Sequence, residues 1–208
     1  MSGLVVRPAS RDAFAGAIDW AAGEGWNPGL GDLDAFHATD PDGFLMGFKD
    51  GEPVSAISVV RYGDDFGFLG FYLVHPEHRG QGHGIATWKA GLAHLAGRTV
   101  GLDGVVDQQD NYRRSGFTYH GRNVRFTGVP ALAAGGTSSA TVRPFRPDDL
   151  EPVAAMDRRV FPAARGDFLR RWMDAPAAMQ RNSVVAEQDG ALTGFGTIRK
   201  CRRGWKIG

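Results

Sequence analysis

"HPEHRGQGHGIATW", residues 75–88, places three glycines at alternate positions, Gly80, Gly82 and Gly84, directly before an amphipathic stretch. Glycine costs backbone entropy on ordering and packs nothing, so a run this dense serves its backbone. The flanks define the setting. Phe66–Val74 ("FGFLGFYLV") reads as a strand, and Pro76 ends it near His75 because proline cannot donate to a ladder. Ile85, Trp88, Leu92 and Leu95 then mark one face of a helix, closed by Gly97. A loop of this kind gathers several backbone N–H groups at a helix N-terminus, which itself carries roughly half a positive charge. The result is an anion site suited to phosphate.

The spacing narrows the choice. No Lys-Ser/Thr follows the last glycine, which excludes a P-loop. The run is G-x-G-x-G rather than the dinucleotide fingerprint G-x-G-x-x-G, and only Asp103 stands at the distance of a ribose-binding acid.

Working outward, Leu4–Arg7 reads as a strand, and Ser10 as the N-cap of a helix with Phe14, Ala17, Ile18 and Ala21 on one face. "GWNPGLGD" breaks that helix, and a short one follows over Leu33–Thr39. Phe44–Phe48 and Pro53–Tyr62 flank Asp50-Gly51, a hairpin signal. After the glycine loop and its helix come a short apolar strand, Thr99–Leu102, a helical turn over Asp110–Ser115 and a last strand over Phe117–Phe126. The fold class is α+β: a mixed, mostly antiparallel sheet flanked by helices.

The chain also repeats itself. Val6-Arg7-Pro8 recurs as Val142-Arg143-Pro144, and Asp50-Gly51 as Asp189-Gly190, at offsets of 136 and 139 residues. Three units follow: a first domain over 1–129, a Gly/Ser/Ala-rich linker over 130–140, and a partial second copy over 141–208. The second copy ends where "GWKIG" aligns with Gly67–Gly70, so it lacks a glycine loop and is expected to belong to a longer chain. One cofactor site, in the first half, is expected.

Composition bounds the function. Lys plus Arg is 24 against 23 for Asp plus Glu, without the basic excess of a nucleic-acid-binding domain. No apolar run approaches the roughly 20 residues of a membrane span, and no signal pattern opens the chain. A single cysteine, Cys201, rules out an internal disulfide and fits the cytoplasm. The expected partners are therefore small molecules or peptides, not nucleic acid or membrane, with homodimerisation left open. The histidines show no metal spacing. The basic run Arg199–Lys206 reads as a solvated strand and turn.

Arg79-x-x-Gly82-x-Gly84, together with "NYRRSGF" (Asn111–Phe117), in which Tyr112 precedes Gly116-Phe117 by four residues, resembles the GNAT family of N-acetyltransferases over about Leu4–Arg125. The repeat points to the tandem type, with a degenerate second domain. The resemblance implies acetyl-CoA as cofactor and transfer of its acetyl group to a primary amine of a small molecule or peptide. It implies that the backbone of Tyr72, Leu73 and Val74 pairs with the pantetheine arm, and that the strands Phe66–Val74 and Thr99–Leu102 splay to admit it. The amides of Arg79, Gly80, Gln81, Gly82, His83, Gly84 and Ile85 would hold the pyrophosphate. The side chains of Arg79 and His83 are candidate added charges. Tyr112 would protonate the leaving thiolate, and the Val74 N–H would serve the acyl oxygen. Trp26 and Phe36, in the loop and helix after the first helix, are expected to wall the acceptor site. The strand before the loop holds no carboxylate, which leaves Glu24, Asp64, Asp65 or His75, or no dedicated base. The alternative is a non-catalytic sensor of CoA or acetyl-CoA, or a structural module.

Overall fold

The computed structural model describes residues 3–131 and 139–208; most of the linker expected over 130–140 lies outside the described residues. The first half runs β1 (Val5–Pro8), α1 (Arg11–Gly23), α2 (Asp32–Thr39), β2 (Phe44–Lys49), β3 (Glu52–Tyr62), β4 (Phe66–Val74), α3 (His83–His94), β5 (Thr99–Leu102) and α4 (Gln109–Arg114). The second half runs β6 (Thr141–Pro144), α5 (Leu150–Asp157), α6 (Gly166–Met173), β7 (Arg181–Gln188), β8 (Ala191–Lys200) and β9 (Trp205–Ile207). Five strands form one sheet in chain order, antiparallel until β5 joins β4 in parallel, and four antiparallel strands form the other.

The repeat is visible in detail. The β2–β3 turn holds Asp50 at φ 54° and Gly51 at φ 90°; the β7–β8 turn holds Asp189 at 51° and Gly190 at 78°. Positive φ at both central residues matches the right-handed twist of paired strands, which is why Asp-Gly was selected there. The register slips at Gly47/Phe48 in one hairpin and at Ala186/Glu187 in the other. Each bulge sits 139 residues from its counterpart, the offset of the Asp-Gly pair.

Packing explains the elements. Ser10 caps α1 through its hydroxyl, which accepts from the Ala13 N–H at 3.2 Å. Phe14 and Ala17 of α1 and Leu33 and Ala35 of α2 then bury against Met46, Ala56 and Val60 on one face of the first sheet. On the other face Trp88 and Leu95 of α3 cover Leu45, Ile57, Val59 and Leu69. The first cluster does not stop at the half-way point. Ala163, Phe168 and Leu169 of the second half belong to it, with Phe161 edge-on to both Tyr62 and Phe66. Burial there pushes the Tyr62 phenol far above its ordinary value.

One expected element is missing. Residues 117–126 form no strand; Tyr119, Val124 and Phe126 are exposed. A strand needs a ladder partner for its backbone, and here the polar side chains bond elsewhere: Asn123 Nδ2 donates to Asp103 at 2.6 Å. The helix after the glycine loop also ends earlier than Gly97, at His94.

Asp40 ties the first half together. It is buried and accepts from Arg61 N–H, Nε and Nη2, each at 2.9 Å, and lies 2.8 Å from His94 Nε2. Burial alone would raise its carboxyl, but the Arg61 and His94 contacts outweigh it and hold it below 3.8. A carboxyl depressed by folding contributes stability above its ordinary value and loses it as the pH falls through the depressed one. Asp40→Asn is therefore expected to lower stability at neutral pH by about 3 kcal/mol, measured by urea unfolding. The gap from wild type should narrow below pH 3.8.

A candidate acyl-CoA site at the end of strand β4

Strand β5 pairs only with Phe66–Leu69 of the nine-residue β4. Among the described residues, no strand lies beside the outer edge of β4 from Gly70 to Val74. Two features set how that edge is presented. Between Ala56/Leu73 and Ser58/Gly70 the ladder gains one residue on β4, so Phe71 and Tyr72 together face Ile57. Phe71 takes φ 52°, uncommon for a bulky side chain. The bulge turns Phe71 toward Phe14 and Trp26, while Tyr72 packs on Trp88 on the opposite face. Beyond it the His75 N–H donates to the Val54 carbonyl at 2.9 Å. By the alternation of an antiparallel ladder, the Leu73 backbone groups then bond to β3 and those of Val74 point to the open edge. Of the three β4 residues expected to pair with an extended ligand, Leu73 is thus engaged already.

The glycine loop sits over this edge. Gly82, at φ 82°, is the N-cap of the twelve-residue α3, so the helix begins at His83 rather than Ile85. Its first internal bond runs from Ala86 N–H to the Gly82 carbonyl. Among the described residues, none of the amides of Gly80, Gln81, Gly82, His83, Gly84 and Ile85 donates to a backbone carbonyl outside its own helix. The expected cradle loses one member, because the Arg79 N–H donates to the Pro76 carbonyl at 3.3 Å. A Cβ at Gly80 or Gly82 would meet nothing within 4 Å, whereas one at Gly84 would lie 2.6 Å from the Tyr72 hydroxyl and 3.0 Å from a Val74 methyl. Gly84 is therefore the contact that seats the helix end on β4. Ser55 Oγ and Thr87 Oγ1, 2.6 Å apart in the interior, fix the same helix one turn later. These features meet what a pyrophosphate requires: free donors, open space and a helix N-terminus.

Several side chains serve otherwise than expected. The Arg79 guanidinium donates through Nε to the Val74 carbonyl at 3.1 Å and through Nη2 to Glu24 at 2.5 Å. It braces the strand end and occupies Glu24, one of the candidate bases. The His83 ring is buried, with Nε2 unpartnered, so the residue offers its amide rather than its side chain. Asp64 and Asp65 lie at the opposite end of β4 from Val74. His75 is at the right end, edge-on to Trp20 at 5.3 Å, with Nδ1 buried and unpartnered. Phe36, expected at the acceptor wall, packs on Phe168 at 4.8 Å and Trp172 at 5.6 Å, and belongs to the core between the halves. Trp26 stays part-exposed against Phe71. Lys49, which the sequence does not single out, reaches the loop from the β2–β3 hairpin and donates to Gln81 at 3.2 Å.

Tyr112, on α4, stacks on Trp88 with ring centroids 6.0 Å apart, and Phe117 meets the same indole at 5.9 Å. Gly116, at φ 91°, makes the turn between them. Gly104 lies flat under the Tyr112 ring, where a Cβ would clash. Tyr72 is close by; burial first, then the Tyr112 phenol, raises its pKa. Among the described residues, no helix is long and apolar enough to cross a membrane, and no cluster of His, Cys, Asp or Glu is built to hold a metal.

The family description "Acetyltransferase (GNAT) family" matches residues 12–117, and "Acetyltransferase (GNAT) domain" matches residues 153–208. The chain belongs to the GNAT family. It carries two GNAT segments in tandem, and the glycine loop lies in the first. Holothin acyltransferase of Pseudoalteromonas sp. is 32% identical over 205 residues, which are 97% of this chain and 67% of that protein. A Pyrococcus horikoshii structure assigned as an acetyltransferase is 17% identical with a TM-score of 0.70, over 96% of this chain and 69% of that one. A tandem GNAT protein from the clavulanic acid biosynthesis pathway is 18% identical with a TM-score of 0.54, over 95% and 74%. The structural likenesses show the GNAT fold, and the chain is an acyltransferase of that family.

Gly82→Val tests the cradle. A left-handed residue costs an L side chain about 1–2 kcal/mol, and valine atoms would enter the open space above the amides. CoA affinity by calorimetry should fall by about tenfold or more. Unchanged affinity would remove the loop from the site.

Proposed function

We propose that the chain transfers an acetyl group from acetyl-CoA to a primary amine of a small molecule or peptide, at one site in its first half, in the cytoplasm. The observation that carries the reading is the set of six amides from Gly80 to Ile85, beside a strand edge that β5 leaves open. Bound acetyl-CoA supplies a thioester carbonyl. The chain's residues do the rest. The six amides and the α3 N-terminus hold the pyrophosphate. The pantetheine arm lies along the Tyr72 and Val74 backbone, where Arg79 holds the Val74 carbonyl and keeps that strand end in place. The Val74 N–H donates to the acyl oxygen as negative charge develops there, and a fixed donor of this kind lowers the barrier without reorganising. Tyr112, held by Trp88 and Gly104, delivers a proton to the departing sulfur.

An amine that arrives neutral needs no base to activate it, and the proton its nitrogen sheds as the amide forms passes to water, which suits a strand without a carboxylate and a Glu24 already paired with Arg79. The relative named for holothin makes holothin one acceptor to try, beside phenethylamine, spermidine and an unblocked tripeptide. The assay is release of free thiol from acetyl-CoA. Tyr112→Phe should lower kcat by about a hundredfold while CoA affinity stays as in wild type. Binding of CoA without turnover on any amine would favour a sensor. Full activity in Tyr112→Phe would remove the phenol from the chemistry.

A further inference from the structure

The loop between α1 and α2 leaves the acyl end of β4 and enters the second half. Trp26 stays behind, edge-on to Phe71 with centroids 5.7 Å apart. The next residue crosses over. Asn27 Nδ2 donates to the Arg203 carbonyl at 2.7 Å, and Asn27 Oδ1 accepts the Arg203 N–H at 3.1 Å. Gly29 bridges to Cys201, and the Leu30 N–H donates to the Lys200 carbonyl at 2.9 Å. The Gly31 carbonyl accepts from Arg181 Nη2 at 2.8 Å. Asp32, opening α2, accepts the Gly29 N–H at 3.1 Å and pairs with Arg199 at 3.0 Å and Arg181 at 3.5 Å. Residues 27–32 thus lie along the end of β8 and the Cys201–Gly204 turn, bound mainly through backbone. Arg202 adds a charge pair to Asp19 of α1. The basic run is not simply a solvated turn: two of its arginines answer acids of the first half.

We propose that the second sheet is the frame that sets the acceptor side of the first. Asn27 is the positioning residue, and Trp26, one residue before it, is the wall it holds. The inference rests on the acetyl-transfer reading above. Its physical content is preorganisation. A glycine-rich stretch, Gly23-Glu24-Gly25 before Trp26 and Pro28-Gly29 after it, is entropically costly to order, and the second half orders it before any amine arrives. Substrate binding then avoids that cost. The acetyl-CoA cradle takes its amides from β4 and α3, and the loop reaches it only through Glu24 on Arg79 and Trp26 on Phe71, both before Asn27; the two substrates therefore respond differently when the frame is cut at Asn27.

The experiment compares wild type with Asn27→Ala and Asn27→Asp. Aspartate keeps the acceptor for the Arg203 N–H but loses the donor to the Arg203 carbonyl. Hydrogen exchange reads the Leu30 and Arg203 amides. Steady-state kinetics uses acetyl-CoA and whichever of phenethylamine, spermidine or the tripeptide turns over fastest. Asn27→Ala should lose protection at both amides and raise the amine KM by about tenfold, with the acetyl-CoA KM unchanged. Asn27→Asp should fall between it and wild type, and provides the measurement if the alanine variant does not fold. Lost protection with an unchanged amine KM overturns the proposal, as do parallel rises in both KM values or protection that survives the substitution. A wild type that releases no thiol with any amine removes the acetyl-transfer reading itself, a result distinct from any change in loop protection.

Discussion

Strand β5 stops pairing with β4 at Leu69, and every feature of the site depends on that stop. Five residues of β4 are left with one edge bonded to β3 and the other open. The bulge at Phe71 and Tyr72 decides which amides face the opening, by shifting the alternation one step before the strand ends. The glycine loop then brings a helix N-terminus against the same edge, as closely as Gly84 permits over Tyr72 and Val74. An open edge invites association with other strands. Here it stands beside the six amides from Gly80 to Ile85, the pairing on which the proposed site for an extended, anionic ligand rests.

The two halves share a plan. Hairpin, turn conformation and bulge recur in the second sheet. The second half contributes its aromatic residues to the first half's core, with Phe161 on Tyr62 and Phe168 on Phe36. It also contributes arginines. Arg181 is buried over Trp172 at 3.9 Å and donates to the Gly31 carbonyl. A guanidinium that deep is costly unless its donors are used; here Nη2 secures the α1–α2 loop and Nη1 the Trp172 carbonyl, while Nε has no partner among the described residues.

Much of this was legible beforehand. The β4 and β5 boundaries, the Ser10 cap, the Asp-Gly hairpins and the repeat all follow from local rules: periodicity, capping and turn chemistry. What was not legible depends on partners distant in sequence. A strand over Phe117–Phe126 has suitable residues but no ladder to join. Phe36 carries the residue type of a pocket wall, yet Phe168 and Trp172, more than a hundred positions away, cover it. The Arg79 amide and side chain were taken by Pro76, Val74 and Glu24, choices set by how the strand ends rather than by the motif. Asn27 gave no signal because its partner is another residue's backbone, which has no sequence signature.

A ligand edge built from β4 and the loop before α3 is read most directly by titrating the isotopically labelled protein with CoA and following the amide chemical shifts. The largest shifts are expected at Val74 and from Gly80 to Ile85, with the amides of β7, β8 and β9 unmoved. Shifts concentrated in the second sheet, or an unmoved glycine loop at saturating CoA, would contradict it.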